Sequence, residues 1–263
     1  MSEYVSDPVP GSVLFARYAF PPNLHGYCGP HDSDAFFDYG VAGTDHRRLR
    51  ELSQQFDGAW PYLELIAAAA GLDDPLERSV VEAYWVGGPL LDQWDSPRHA
   101  DSMKQRFGSV VGSKFCALTE QALAESVPHH SFAVFCIYPW TRLLSDAPKA
   151  TQALHVLDRC RIRWGQVLEV HGDSVMVESA PLVWDGRRLD IGSPETETVV
   201  RSREGVGMVG DLLPGDWVSL HWEWVCARLT AQQADYLRSY SMRQLRIVNE
   251  HDLHSGAATV PAT

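Results

Sequence analysis

The sequence predicts an α+β protein: a mainly helical first half, then a small OB-like β-barrel followed by a C-terminal helix. Three observations carry this. Apolar residues recur at helical spacing from about Ser33 to residue 126, as at Leu49, Leu52 and Phe56. Beyond Arg161, short β-branched and apolar runs alternate with Gly-Asp, Asp-Gly and Pro-Gly-Asp turns. After Leu229, Thr230 caps an amphipathic stretch, AQQADYLRSYSMRQLRIVN.

Taken in order, residues 1–32 read as irregular, because YAFPPNLHGYCGPHD crowds prolines and glycines together. Short helices follow, broken at Pro61, Pro75 and Pro89, with Asp74 and Pro75 as an N-cap and first-turn pair. Ser96 and Pro97 open another, and CALTEQALAES reads as one more. Phe132 to Tyr138 is aromatic and β-branched, which predicts a strand. SDAPKATQAL, residues 145–154, reads as a linker. The expected division is therefore a helical domain over 1–150, a barrel with its helix over 151–250, and a flexible tail over 251–263.

The chain has 263 residues, 45% of them apolar, which is ample for a buried core. A net charge of −12 with scattered basic residues speaks against nucleic acid and anionic membranes as partners. The longest apolar run, near Leu63–Leu72, falls short of the roughly 20 residues that span a bilayer. The first residues lack the pattern of a secretory signal. The five cysteines are odd in number, widely spaced and without a CxxC, so reduced thiols in a cytoplasmic protein are expected.

Several residues invite chemistry. HGYCGPHD sets His25, Cys28 and His31 at a short metal-ligand spacing, although such loops are common as packing. His129 and His130 are adjacent; on a strand they would face opposite ways, so one of them enters any shared site. Trp60, Tyr62, Tyr138, Trp140 and Arg142 suit a pocket or, more often, a core. Glu64 in an apolar helix needs a partner.

The second half resembles the HypC/HupF type of hydrogenase maturation chaperone over about residues 157–245. The elements occur in that family's order. Cys160 is followed by Gly165-Gln166-Val167-Leu168-Glu169-Val170, Gly172-Asp173, Val175 and Val177. Then come Pro214-Gly215-Asp216-Trp217-Val218-Ser219-Leu220-His221 and Leu229-Thr230-Ala231-Gln232-Gln233-Ala234. In this chain the cysteine is internal, and Trp164 stands where the family has proline. The resemblance implies that Cys160 ligates an iron carrying cyanide and carbon monoxide, supported by His221. It also implies a HypD-like scaffold and a hydrogenase large-subunit precursor as partners. A thiolate suits such a soft centre, and Arg159, Arg161 and Arg163 are expected to favour the thiolate.

The functional expectation is an accessory role in [NiFe]-hydrogenase maturation rather than turnover of a metabolite. The first alternative is an iron-dependent enzyme whose helical half makes or processes a small ligand for the metal. The second is a metal-free interaction module.

Overall fold

The computed structural model describes residues 9–96, 101 and 120–251. The α+β class holds: helices lead, a mixed sheet of strands follows, and a helix closes the chain. The helix expected at Ser96–Pro97 and the tail expected over 251–263 lie almost entirely outside the described residues.

The first departure is at the N-terminus. α1 (Gly11–Leu24) is a helix buried from Gly11 to Asn23, where irregular chain was expected. It is buried on all sides, Arg17 included, so it shows no amphipathic period, as befits a helix at the centre of a fold. Pro21 and Pro22 fall in its last turn, where they remove two backbone donors without breaking the turns before them. Around α1 pack α2 (Ser33–Ala42), α3 (Arg47–Ser53) and α5 (Arg78–Trp85); α4 (Trp60–Ala70) packs on α5, with the short α6 (Pro89–Asp92) and α7 (Glu120–Glu125) beyond. Asp74 does not cap a helix at Pro75. Its carboxylate takes the Leu76 N–H and two N–H groups of Arg50, and α5 begins later. Tyr18 of α1 stacks on Trp85 of α5, with ring centroids 5.3 Å apart.

The second departure is at Phe132–Tyr138. The expected strand is instead α8 (His130–Phe132) running on as a π-helical turn over Ala133–Ile137. Aromatic and β-branched residues there report burial against helices rather than pairing in a sheet, a case of tertiary context overriding propensity. The third departure is the expected linker. α9 (Ala147–Cys160) runs through it, with Pro148 in its first turn and its small polar residues on the solvent side.

Strands β1 (Arg163–His171), β2 (Ser174–Ser179), β5 (Glu195–Val200), β8 (Trp217–His221) and β9 (Trp224–Leu229) close into a barrel in the order β1-β2-β5-β9-β8. All the pairings are antiparallel except β5 with β9. Between β2 and β8 the chain adds two small hairpins: β3 (Leu182–Trp184) with β4 (Leu189–Ile191), and β6 (Ser202–Arg203) with β7 (Val206–Gly207). Val167, Val175, Val177, Val218, Leu220 and Val225 fill the barrel. The opposite face of β8 carries Ser219 and His221 onto the helices. A larger apolar core runs without a break from α1 through α9 to Trp224 and the closing helix α10 (Ala231–Glu250). Thr230 caps α10 as expected, in a reciprocal capping box with Gln233.

The closest backbone approach is at Gly11, where an added Cβ would lie 2.1 Å from the Leu76 carbonyl oxygen. Gly11→Ala is therefore expected to destabilise the chain by about 1–3 kcal/mol, a cost typical of overpacking. Equilibrium urea unfolding measures it, and an unchanged midpoint would show that α1 does not sit this tightly on the chain before α5.

Candidate metal centre

Cys160 ends α9 rather than opening a strand, and it is buried, with 7% of its surface exposed. His221 ends β8 and is 1% exposed. His130 opens α8 and is 4% exposed. A ligand atom from each of these three lies within 4.8 Å of the others. An ion held at about 2.0–2.3 Å from each donor would need them to draw together by roughly an ångström. The two imidazole rings meet edge to face at 5.3 Å, and Trp85 covers both.

The tautomer of His221 is fixed by its surroundings. Its Nδ1 donates to the Tyr18 carbonyl at 2.7 Å. That carbonyl is free because the residue four places on, Pro22, has no N–H to give it. Nε2 is then the bare nitrogen: it makes no hydrogen bond of ordinary geometry among the described residues, although the Cys160 backbone lies close to the ring. A histidine that donates one ring N–H to a backbone carbonyl and leaves the other nitrogen bare has the arrangement of a metal ligand. Tyr18 also grips β8 one residue pair away, its hydroxyl 2.7 Å from Ser219 Oγ.

His130 Nε2 lies 2.9 Å from the Cys160 carbonyl oxygen and donates to it, and Nδ1 lies 3.1 Å from the Tyr84 hydroxyl. That hydroxyl also has the Gly58 carbonyl within 3.1 Å, so it can leave the imidazole without being orphaned. Burial holds His130 down to about 4, against the opposing bond to Cys160. Burial, reinforced by His130, holds His221 well below its ordinary value. Both rings are neutral near pH 7 and keep a lone pair to offer.

The arginines do not act on Cys160 as expected. Burial, helped by the neighbouring Cys28, pushes its thiol up, and its place at a helix C-terminus adds to that direction. Arg161 and Arg163 turn instead to carboxylates. Asp158 accepts from Arg161 at 2.9 and 3.2 Å and from the Leu182 N–H at 2.9 Å. Glu197 pairs with Arg159 at 2.6 Å and Arg163 at 3.4 Å. Arg163 Nη2 donates to the Trp222 carbonyl at 2.6 Å, and the Trp222 N–H donates to the Arg159 carbonyl at 2.8 Å. This network ties the end of α9 to the turn after β8, and so holds Cys160 beside His221.

The other sequence candidates separate. His25 leaves the spacing motif and meets Glu223 on the surface at 2.8 Å. His31 is exposed. Cys28 turns inward and lines the same cavity as His130, Cys160 and His221, together with Pro22, Trp85 and Tyr138. The room there for a water-sized sphere is only ≈ 10 Å³, about one water. His129 turns away from the cluster and caps α8, its Nδ1 accepting from the Ser131 N–H at 3.1 Å. Of the adjacent pair one residue does enter a shared site, at a helix start rather than on a strand. The sequence offers His130 only as one of an adjacent pair, and a histidine beginning an apolar run is its one signal.

Three buried histidines set a pH dependence. His129 is held down to about 3 and His130 to about 4 by burial, and His221 lies well below its ordinary 6.5. Between those values and 6.5 only the unfolded chain takes the proton, so their contribution is full above pH 6.5 and is lost as pH falls. At pH 5 His129 and His130 each cost roughly 2 kcal/mol, and His221 acts in the same direction. Metal-free protein is expected to unfold several kcal/mol more easily at pH 5 than at pH 7.5 in denaturant titrations, and equal midpoints would rule out neutral buried imidazoles.

A search of curated proteins found no match, and a search of solved structures found none either. A family model described as a family of unknown function (DUF6390) matches residues 7–255. The chain that joins this helical half, barrel and buried His-Cys-His cluster belongs to that family.

Proposed function

We propose that this protein is a metalloprotein in which His130, Cys160 and His221 hold a soft transition-metal ion, and that its role is the accessory handling of iron in [NiFe]-hydrogenase maturation. The observation that carries the metal centre is the bare, fully buried Nε2 of His221 beside a thiol and a second neutral imidazole. Left unmet, such a nitrogen costs about 1–3 kcal/mol, a cost that a bound ion would remove. One thiolate and two imidazoles suit iron, zinc or copper. The choice of iron, of an iron–cyanide–carbonyl fragment as cargo, and of a HypD-like scaffold and a hydrogenase large-subunit precursor as partners rests on the ordered motifs from Cys160 to Ala234.

Burial bears on how the cargo is carried. Cys160 is covered, so handing a fragment to a partner requires the cluster to open. The same burial favours a second reading, an iron-dependent enzyme with a resident centre, in which the remaining space of about one water admits only a very small ligand. No described helix is long and apolar enough to cross a membrane.

Binding would release one proton from Cys160 and none from the histidines, so affinity should rise about tenfold per pH unit near neutrality. Protein purified anaerobically from its own host is expected to carry one iron per chain. Adding Fe(II) to metal-free protein at 100 times its Kd should stabilise it by about 2.7 kcal/mol. Cys160→Ser should abolish both effects. Metal analysis and thermal unfolding decide the matter: a wild type that gains no stability from iron, zinc or cobalt sinks the centre. Infrared bands of cyanide and carbonyl on protein co-purifying with the partners would single out the chaperone role. Iron without those bands or partners would favour the enzyme.

Pro22→Ala offers a finer test. It restores an N–H to compete for the Tyr18 carbonyl and loosens the bond that orients His221. Metal affinity should fall roughly 10–100-fold, as for other outer-shell changes, with the stoichiometry kept. Competition against a chelator reads this, and unchanged affinity would mean that the carbonyl does not orient the ligand.

A further inference from the structure

We propose that Cys28 is the relay thiol of the centre: it takes the ion from outside and passes it to Cys160, His130 and His221. This rests on the metal-centre reading above and names the route by which that buried site is filled.

The first support is position. Cys28 lines the cavity of the cluster, and it is only partly buried, whereas Cys136, Cys160 and Cys226 are buried. Its thiol is hydrogen-bonded by Tyr138, which lines the same cavity. His221, whose buried Nε2 is unpartnered, lines that cavity too.

The second support is the loop that carries it. Residues 25–30 cross the turn between β8 and β9, the turn that follows His221. The Tyr27 ring stacks on Trp222 at 4.6 Å, and His25 meets Glu223 at 2.8 Å. Asn23 Nδ2 holds the loop from inside by donating to the carbonyls of Cys28 and Pro30. Gly26 takes φ +71° with nothing within 4 Å of where a Cβ would stand, so the loop can hinge there. The residue under it, Trp222, itself holds φ +53°, a strained value for a bulky side chain. Outside the Asn23 anchor, the loop meets the barrel through Tyr27 on Trp222 and His25 on Glu223, over a strained turn.

The chemistry balances. A divalent ion displaces the proton of Cys28, which goes to solvent, and forms a metal–sulfur bond. The bond from Cys28 to the metal then breaks as the bond from Cys160 forms, and the Cys160 proton passes to the Cys28 sulfur. The buried thiol thereby loses its proton to a neighbouring sulfur within the cavity, with no charge left behind.

The test is Co(II) loading of the full-length chain, followed by the thiolate-to-cobalt absorption band. Cys28→Ser and Cys28→Ala should slow loading at least tenfold, while the final band intensity and the stoichiometry of one ion per chain match the wild type. Thermal unfolding without metal checks that both variants fold. Loading at the wild-type rate would overturn the proposal, as would a weaker final band, which would make Cys28 a permanent ligand. Cys160→Ser keeps the two readings apart. If it abolishes the band, the centre stands whatever Cys28 does; if it leaves the band intact, the centre itself falls.

Discussion

Pro22 lacks a backbone N–H, and the carbonyl of Tyr18 is therefore free to take the Nδ1 proton of His221. That bond couples the central helix to the outer face of the barrel. The Tyr18 hydroxyl repeats the coupling at Ser219, and the Tyr18 ring stacks on Trp85, which in turn covers His130 and His221. One residue of α1 thus joins the barrel and the helices, and it leaves one imidazole nitrogen bare in the interior. The two halves share one apolar core because α1 packs on both.

The second constraint is the buried charge network at the end of α9. Arg161 and Arg163 have almost no exposed surface. Such charges persist only where carboxylates and carbonyls meet them, and removing one partner typically costs about 3–5 kcal/mol. Asp158 and Glu197 supply the carboxylates, and the carbonyls of Ala180 and Trp222 complete the set. Burial still pulls Arg163 down to about 10, and its Nε and Nη1 lack hydrogen-bond partners among the described residues. The network yields specificity of placement rather than a large net stabilisation. It sets the last turn of α9, and hence Cys160, against the turn that follows His221.

These two constraints decide the chemistry of the cluster. Neutral imidazoles and a protonated thiol carry no net charge, so the metal-free interior stays stable near pH 7. On the proposed reading, a cation entering it would meet the bare Nε2 of His221, the Nδ1 of His130 once the Tyr84 hydroxyl gives way, and a thiol that must give up its proton. The lining, Trp85 among it, leaves room for about one water, and so little water would strengthen any electrostatic interaction made there.

Much of the fold was legible in the chain itself. Turn chemistry and alternation marked the strands of the barrel, and Thr230 marked the last helix, because these signals act over a few residues. Local order also singled out Cys160 and His221, through motifs spaced along one strand-rich half. What the chain alone did not reveal depends on contacts far apart in sequence. α1 looked irregular because a helix buried on every side has no polar face to give it a period. Phe132–Tyr138 looked like a strand because burial against helices selects the same apolar residues as a sheet. His130 joins Cys160 across 30 positions and His221 across 91, and Tyr18 reaches His221 across 203. Metal-ligand spacing drew His25, Cys28 and His31 together in the sequence, yet only Cys28 turns inward, because Glu223 and solvent claim the other two. Residue types and local turns determined which elements form; only tertiary packing, through long-range bonds such as Tyr18 to His221, decided which of the eligible side chains share one buried site.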